Sequence, residues 1–169
     1  DVKPSNVLLT AAGEPKLADF GIARMPGLET TVAWSGDDER ALGTVRYMSP
    51  EQARGKPATA PSDLYSAALT LYEAWSGAPY VQPAPGESAF ELQVRVASAR
   101  EVDLRWRGPP ALGAWFERAL QPEPAARFPD APTMREALEA AQSERAWPPA
   151  AAVAGEAGAP PRDAPPGPR

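Results

Sequence analysis

Residues Asp1 to Gly21 read DVKPSNVLLTAAGEPKLADFG. Two short apolar runs, Val7-Leu8-Leu9 and Pro15-Lys16-Leu17-Ala18, lie on either side of Thr10-Ala11-Ala12-Gly13-Glu14. A strand-sized run, a turn bearing Gly and a second run predict a small hairpin. Asn6 immediately precedes the first strand and Asp19 follows the second, so the two strand ends present an amide and a carboxylate to a common site. An isolated Asp or Asn at a strand end is more often a turn residue bonded to its own backbone.

Beyond the hairpin, Asp19 to Pro61 carries scattered Gly, Pro and polar residues without a sustained period, which predicts one long connecting loop. After Pro61 the pattern turns helical. Ser62 is a cap for a buried helix running to Trp75, with Leu64, Ala67, Ala68, Leu71 and Trp75 on one stripe and Gly77 as its stop. Ser88 and Glu91 form a capping box for a helix bearing Phe90, Val94 and Ala97. Leu112, Trp115, Phe116 and Ala119 recur at i, i+3, i+4, i+7, and Thr133 with Glu136 caps a last helix carrying Met134, Ala137, Leu138 and Ala141. The expected body is one hairpin, a long loop and about four helices, without internal repeats.

Composition narrows the chemistry. The 169 residues contain no Cys and no His, which removes disulfides, thiolate nucleophiles, zinc fingers and every relay through imidazole. Catalysis would have to run on carboxylates, Lys, Arg, hydroxyls or an oxygen-bound metal. The net charge of −5 disfavours non-specific nucleic-acid binding, and no apolar stretch is long enough to cross a bilayer. From Pro148 to Arg169 the sequence is almost wholly Ala, Pro and Gly without an aromatic residue, so residues 147–169 are expected to form a disordered tail or linker and residues 1–146 a folded unit. A PxxP docking role for the tail lacks a basic anchor. The start at Asp1, without Met or a secretory leader, suggests a piece of something longer.

Three segments carry a resemblance. Asp1-Val2-Lys3-Pro4-Ser5-Asn6, Asp19-Phe20-Gly21 and Gly43-Thr44-Val45-Arg46-Tyr47-Met48-Ser49-Pro50-Glu51 are similar, in this order, to the catalytic loop, the D-F-G metal site and the A-P-E-like end of the activation segment of eukaryotic-type Ser/Thr protein kinases, and most closely to their bacterial members. The fold so implied is α+β: a protein-kinase-like C-lobe, mainly α-helical, with a β-hairpin carrying the catalytic and metal loops. The N-lobe is absent from these residues, including the Gly-rich loop and the strand Lys.

The resemblance also implies roles. Asp1 accepts or orients the proton of the substrate hydroxyl, Lys3 neutralises the transferring γ-phosphoryl group, and Asn6 and Asp19 hold the metals that bind ATP, Mg²⁺ or alternatively Mn²⁺. Lys two residues after Asp is the Ser/Thr form of the loop, so protein substrates with Ser or Thr acceptors are implied. Phe20 would pack under the helix of the missing lobe, with Gly21 permitting the turn. Glu51 resembles the Glu that pairs with a distant Arg, here Arg127; a solvated loop Arg is the bland alternative. Asp63 resembles the Asp that braces the catalytic loop, a role compatible with pairing to its own helix dipole. Thr44 would reach towards Asp1 and Lys3, unless it is mere turn chemistry. Thr30, Thr31 and Ser35 are candidate phosphosites, whose phosphate would pair with Arg24 or with the Arg that in the family precedes the catalytic Asp and is not among these residues, although loop hydroxyls are usually only polar.

Part of an active kinase is thus the main expectation, with a cytoplasmic kinase domain whose parent could be membrane-anchored and could dimerise for autophosphorylation. The 169 residues alone are expected to be inactive and marginally folded. A catalytically silent kinase-like binding module is the alternative, and retention of Asp1, Lys3, Asn6 and Asp19 argues against it. A small-molecule phosphotransferase is disfavoured by the Gly43 to Glu51 segment, which serves a peptide substrate.

Overall fold

The computed structural model describes residues 1–19, 39–99, 102–104 and 106–143. The chain opens with a 3-10 turn at Pro4–Asn6, where proline takes an early position whose N–H would have no partner in any case. It passes directly into β1 (Val7–Leu9) and then β2 (Pro15–Leu17), paired antiparallel with Val7 opposite Leu17 and Leu9 opposite Pro15. Gly13 sits in the turn at φ +81°, a left-handed conformation open to a residue without Cβ. The predicted hairpin is therefore present. Just past the ladder, the Ala18 N–H donates to the Asn6 carbonyl at 2.7 Å, which brings Asp19 alongside the start of β1.

Six α-helices follow among the described residues: α1 (Glu39–Val45), α2 (Pro50–Ala53), α3 (Ala60–Ser76), α4 (Ala89–Ala97), α5 (Pro110–Ala119) and α6 (Ala131–Ser143). The first two correct the expectation of a single loop from Asp19 to Pro61. One or two turns are too short to display a helical period, and α1 contains Gly43 and Thr44, both poor helix formers. The legible signal for α2 was its capping box. The Ser49 N–H donates to Gln52 Oε1 at 3.1 Å and the Gln52 N–H returns to Ser49 Oγ at 3.4 Å, with Pro50 at the first helical position.

Two caps are also displaced from their expected places. Helix α3 begins before Ser62: Thr59 is its N-cap and Ser62 Oγ accepts from the Thr59 N–H at 3.0 Å, so Ser62 is the third residue of the box. Helix α6 is capped by Asp130, whose Oδ1 accepts from the Thr133 N–H at 2.8 Å, so Thr133 lies inside the helix it was expected to cap. Gly77 ends α3 at φ +74° as predicted, and the Ser88–Glu91 box opens α4.

The main core joins Tyr65, Ala68 and Leu69 of α3 to Leu112, Trp115, Phe116 and Ala119 of α5, Met134 of α6 and Phe128. The α5 stripe is buried throughout, as its spacing predicts. The α3 stripe is not. Leu71 is 42% exposed, because the inward face is centred on Tyr65 and Leu69 and extends through Tyr72, whose ring meets Phe116 edge-on at 5.6 Å. Tyrosine reads as half polar in a hydrophobic pattern, which displaces the apparent stripe.

A second cluster of Val45, Met48, Ala53, Leu92 and Val96 fastens α1 and α2 to α4. It corrects the face assigned to α4: Ala89, Leu92 and Val96 are buried, whereas Phe90 and Val94 are 66% and 50% exposed. Among Ala89–Ala97 apolar residues fall on nearly every side, so periodicity alone does not select a face. The packing against α1 and α2 does. Trp106, stacked on Trp75 at 5.6 Å, lies against Gly113, where a Cβ would fall 2.6 Å from the indole Cδ1; α5 needs glycine there for close approach. Phe20, Gly21, Arg24, Thr30, Thr31 and Ser35, the expected boundary at 146 and the tail over 147–169 lie outside the described residues.

Candidate functional site

The opening turn gathers three of the predicted side chains. Lys3 Nζ lies 3.0 Å from Asp1 Oδ2 and donates to Thr44 Oγ1 at 3.3 Å, so the turn and α1 meet at one ammonium group. Asn6 is buried, and its Nδ2 donates to the Asp1 carbonyl at 2.8 Å and to Asp1 Oδ2 at 3.2 Å. Asp1 itself stays exposed. Its carboxylate is held in place by a cation and an amide while remaining open to a further donor.

Asp19 is exposed and has φ +53°, among the described residues the one non-glycine in the left-handed region. Asp tolerates that region better than most side chains, yet the conformation is uncommon and points to a constraint on where the carboxylate stands. With the Asn6 nitrogen committed to Asp1, the amide oxygen is the atom left for a ligand. Asn6 and Asp19 thus offer a sparse set of hard oxygen donors, and no group of three or more His, Cys, Asp or Glu among the described residues could hold a metal. Two such oxygens suit a hard divalent cation that completes its coordination with water and phosphate oxygens.

The segment from Thr44 to Glu51 is pinned to α3. The Tyr47 hydroxyl donates to Glu73, while the Ser66 hydroxyl donates to the Tyr47 carbonyl at 2.7 Å. Burial, then Glu73, push the Tyr47 phenol well above its ordinary range. Glu51 and Arg127 form a buried two-pronged pair with N–O distances of 2.7 and 2.8 Å. The remaining Arg127 donors reach the carbonyls of Gln121, Pro61 and Pro122, and its guanidinium lies over the Tyr65 ring at 4.6 Å. The Ser62 hydroxyl donates to Glu51 at 2.8 Å. Burial alone would raise the Glu51 carboxyl, but the bonds from Arg127 and Ser62 prevail and hold it at about 2.

Structure therefore brings Asp1, Lys3, Asn6 and Thr44 into direct contact, sets Asp19 at the adjoining strand end, and joins Glu51 to Arg127. Asp63 is different: it is exposed at the first turn of α3 and makes no side-chain hydrogen bond among the described residues, which leaves the favourable position near the helix N-terminus. Sequence reasoning missed Tyr47, Glu73, Ser62 and Ser66 as parts of the support. Ser62 and Ser66, one turn apart on a helix with an apolar interior face, were the available signal for a buried polar contact.

The profile of the protein kinase domain family matches residues 1–138, and the chain belongs to that family. Among its relatives, it is 46% identical over 92 residues to a probable serine/threonine-protein kinase of Corynebacterium efficiens, covering 54% of this chain and 13% of the relative. It is 38% identical over 144 residues to the serine/threonine-protein kinase PknK of Mycobacterium tuberculosis, covering 84% of this chain and 12% of that protein. Against PknA of Corynebacterium glutamicum the identity is 37% over 144 residues, with 83% and 28% covered. The chain thus spans a minor part of the length of these relatives. No helix among the described residues is long and apolar enough to cross a membrane.

Proposed function

We propose that the protein carrying this chain transfers the γ-phosphoryl group of Mg-ATP to Ser or Thr hydroxyls of protein substrates. The observation that supports it most is the contact of Lys3 with both Asp1 and Thr44, beside Asn6 and Asp19. Asp1 accepts the proton of the attacking hydroxyl, and its bonds to Lys3 and Asn6 fix the carboxylate for that task. Lys3 places positive charge beside the phosphoryl group as negative charge moves from the entering to the leaving oxygen. Asn6 and Asp19 would hold the metal, which when bound neutralises the phosphate oxygens. Thr44 orients Lys3 from α1. Names of the relatives above, all serine/threonine-protein kinases, support the choice of acceptor.

A silent binding module has no need of a base, a phosphate-facing Lys and two metal-side oxygens together, so the catalytic reading is preferred. No residue run in 1–169 resembles the Gly-rich loop or the strand Lys, so labelling is expected from the longer protein and not from these residues alone. The test is transfer of radiolabelled phosphate from Mg-ATP to a Ser-containing substrate protein by the full-length protein. Asp19→Asn is expected to abolish it through loss of a metal-binding charge; undiminished turnover in that variant would refute the metal assignment. Thr30 and Thr31 are proposed sites of activating phosphorylation, six and seven positions after Arg24 in the sequence. Mass spectrometry of the active protein should find phosphate on one of them, and a double Ala variant should be slower.

A further inference from the structure

A cavity of about 280 Å³ lies between α3, α4 and the segments that follow α3, α4 and α5, and none of Asp1, Lys3, Asn6, Asp19 and Thr44 lines it. Five of its lining residues, Val81, Val96, Ala99, Leu120 and Pro122, offer only carbon side chains. Tyr65 and Tyr80 complete the wall with two rings and two hydroxyls. Tyr65 is 4% exposed and its ring is held from the far side by the Arg127 guanidinium at 4.6 Å, yet its hydroxyl makes no hydrogen bond among the described residues. Of the described side-chain atoms, Arg46 Nε alone is both unpartnered and sealed from solvent, so the unpartnered Tyr65 oxygen keeps accessible surface, and this cavity is the opening that Tyr65 lines. The Tyr80 hydroxyl accepts from the Asp103 N–H at 3.1 Å and still has its proton to give. Burial raises both phenols, so both stay protonated and act as donors. A polar group this deeply buried without a partner is uncommon, and at the wall of a cavity it marks the place of an acceptor that arrives from outside.

The chemistry of that acceptor follows from the walls. Water needs two to four polar partners to be held, and the five carbon side chains deny it most of them. A dry cavity of about 150 Å³ already accepts benzene, so the larger volume here has room for a substituted ring. The charged lining residues are Arg95 and Asp103, one of each sign, and Arg95 is further occupied by both oxygens of Glu87 at 2.9 Å and by the Gln82 carbonyl at 2.8 Å. The lining therefore has no net charge with which to select an ion. We infer that this cavity binds a small uncharged molecule consisting of a planar ring with a carbonyl oxygen, the ring set between the apolar walls and the oxygen accepting from the Tyr65 hydroxyl. Sites of this kind combine apolar walls with a few placed donors that fix orientation. The inference goes beyond the kinase reading and does not rest on it.

The test titrates three probes against the full-length protein by ligand-observed NMR: acetophenone, which has the ring and the carbonyl, toluene, which lacks the oxygen, and benzoate, which adds a charge. Acetophenone is expected to bind saturably and about tenfold more tightly than toluene or benzoate, the scale of one hydrogen bond made in a buried site. Tyr65→Phe removes a hydroxyl that holds nothing in the fold, so its melting temperature should not fall, while the preference for acetophenone over toluene should shrink towards one. Ala99→Phe places a ring in the cavity from the segment after α4 and should abolish acetophenone binding in a protein that still melts cooperatively. No saturable binding of acetophenone would mean that the cavity holds water only, and overturns the inference. An acetophenone preference unchanged in Tyr65→Phe, binding that survives Ala99→Phe, or tighter binding of benzoate than of acetophenone overturns it as well. A fall in the melting temperature of Tyr65→Phe would show that the hydroxyl already has a partner in the fold, which removes the premise.

Discussion

Glu51 and Arg127 stand far apart in the sequence and meet as a two-pronged ion pair at 2.7 and 2.8 Å, both buried. The pair ties α2 to the segment entering α6, and through Ser62 and the Pro61 carbonyl it clamps the start of α3. Replacing such a pair by packed apolar residues is often neutral or stabilising, but removing one partner leaves a buried charge without compensation. Arg127→Ala or Glu51→Ala should therefore destabilise the fold by about 3 to 5 kcal/mol. Urea denaturation followed by circular dichroism measures this. Arg127→Lys should recover only a fraction, because one ammonium cannot make the fork and the three carbonyl contacts together.

The same pair sets a pH dependence. Folding lowers the Glu51 carboxyl from 4.5 to about 2, so the folded state binds its proton more weakly than the unfolded chain. Stability from this group is fully present above about pH 4.5 and is lost as the pH falls through the folded value near 2. The loss amounts to about 3 kcal/mol at about 1.4 kcal/mol per pKa unit. Glu87, Glu91 and Asp130 are also lowered, by Arg95, by the Ser88 backbone and by Thr133, and they add to the acid slope. The discriminating measurement is a comparison: the stability gap between the unsubstituted protein and Glu51→Gln should shrink steadily from pH 4.5 to 2. A gap independent of pH would show that Glu51 is not held ionised by Arg127.

Thr44 offers a kinetic readout of the site. Its hydroxyl accepts from Lys3 Nζ at 3.3 Å, so Thr44→Val keeps the shape of α1 but leaves Lys3 with Asp1 alone. In the full-length protein kcat should fall by about tenfold, the scale of one lost hydrogen bond of about 1.4 kcal/mol in the transition state. Thr44→Ser should retain most of the rate. A Thr44→Val protein with unchanged kcat would remove Thr44 from the site.

How far the sequence discloses the molecule depends on the scale of the feature. The hairpin and α5 were legible, because each has its own local signature: paired apolar runs about Gly13, and Leu112, Trp115, Phe116 and Ala119 on one stripe. The Asp1, Lys3 and Thr44 contact was legible only through resemblance, since no local period relates the opening turn to α1. Helix α2 was hidden by its length, and the inward face of α3 by tyrosines that pack as aromatics while counting as polar. The support by Tyr47, Glu73 and Ser66 went unread because each residue is ordinary by itself. Its meaning lies in a long-range contact.

Helix α4 gives the sharpest test of the tertiary packing, since pattern and structure assign it different faces. If Phe90 and Val94 were the buried stripe, truncating them would open a cavity. In the structure they are largely exposed, while Leu92 is completely buried against Val45, Met48 and Ala53. Phe90→Ser and Val94→Thr should each change stability by no more than about 0.5 kcal/mol, as surface substitutions do. Leu92→Ala removes buried carbons from the cluster joining α4 to α1 and α2 and should cost about 2 to 5 kcal/mol. Loss at Leu92 should also loosen α1, and with it Thr44 against Lys3, so the Leu92 variant of the full-length protein should lose turnover below its melting transition. Thermal denaturation of the three variants decides the matter: a large loss at Phe90 and none at Leu92 would restore the face read from periodicity and refute the packing described for α4.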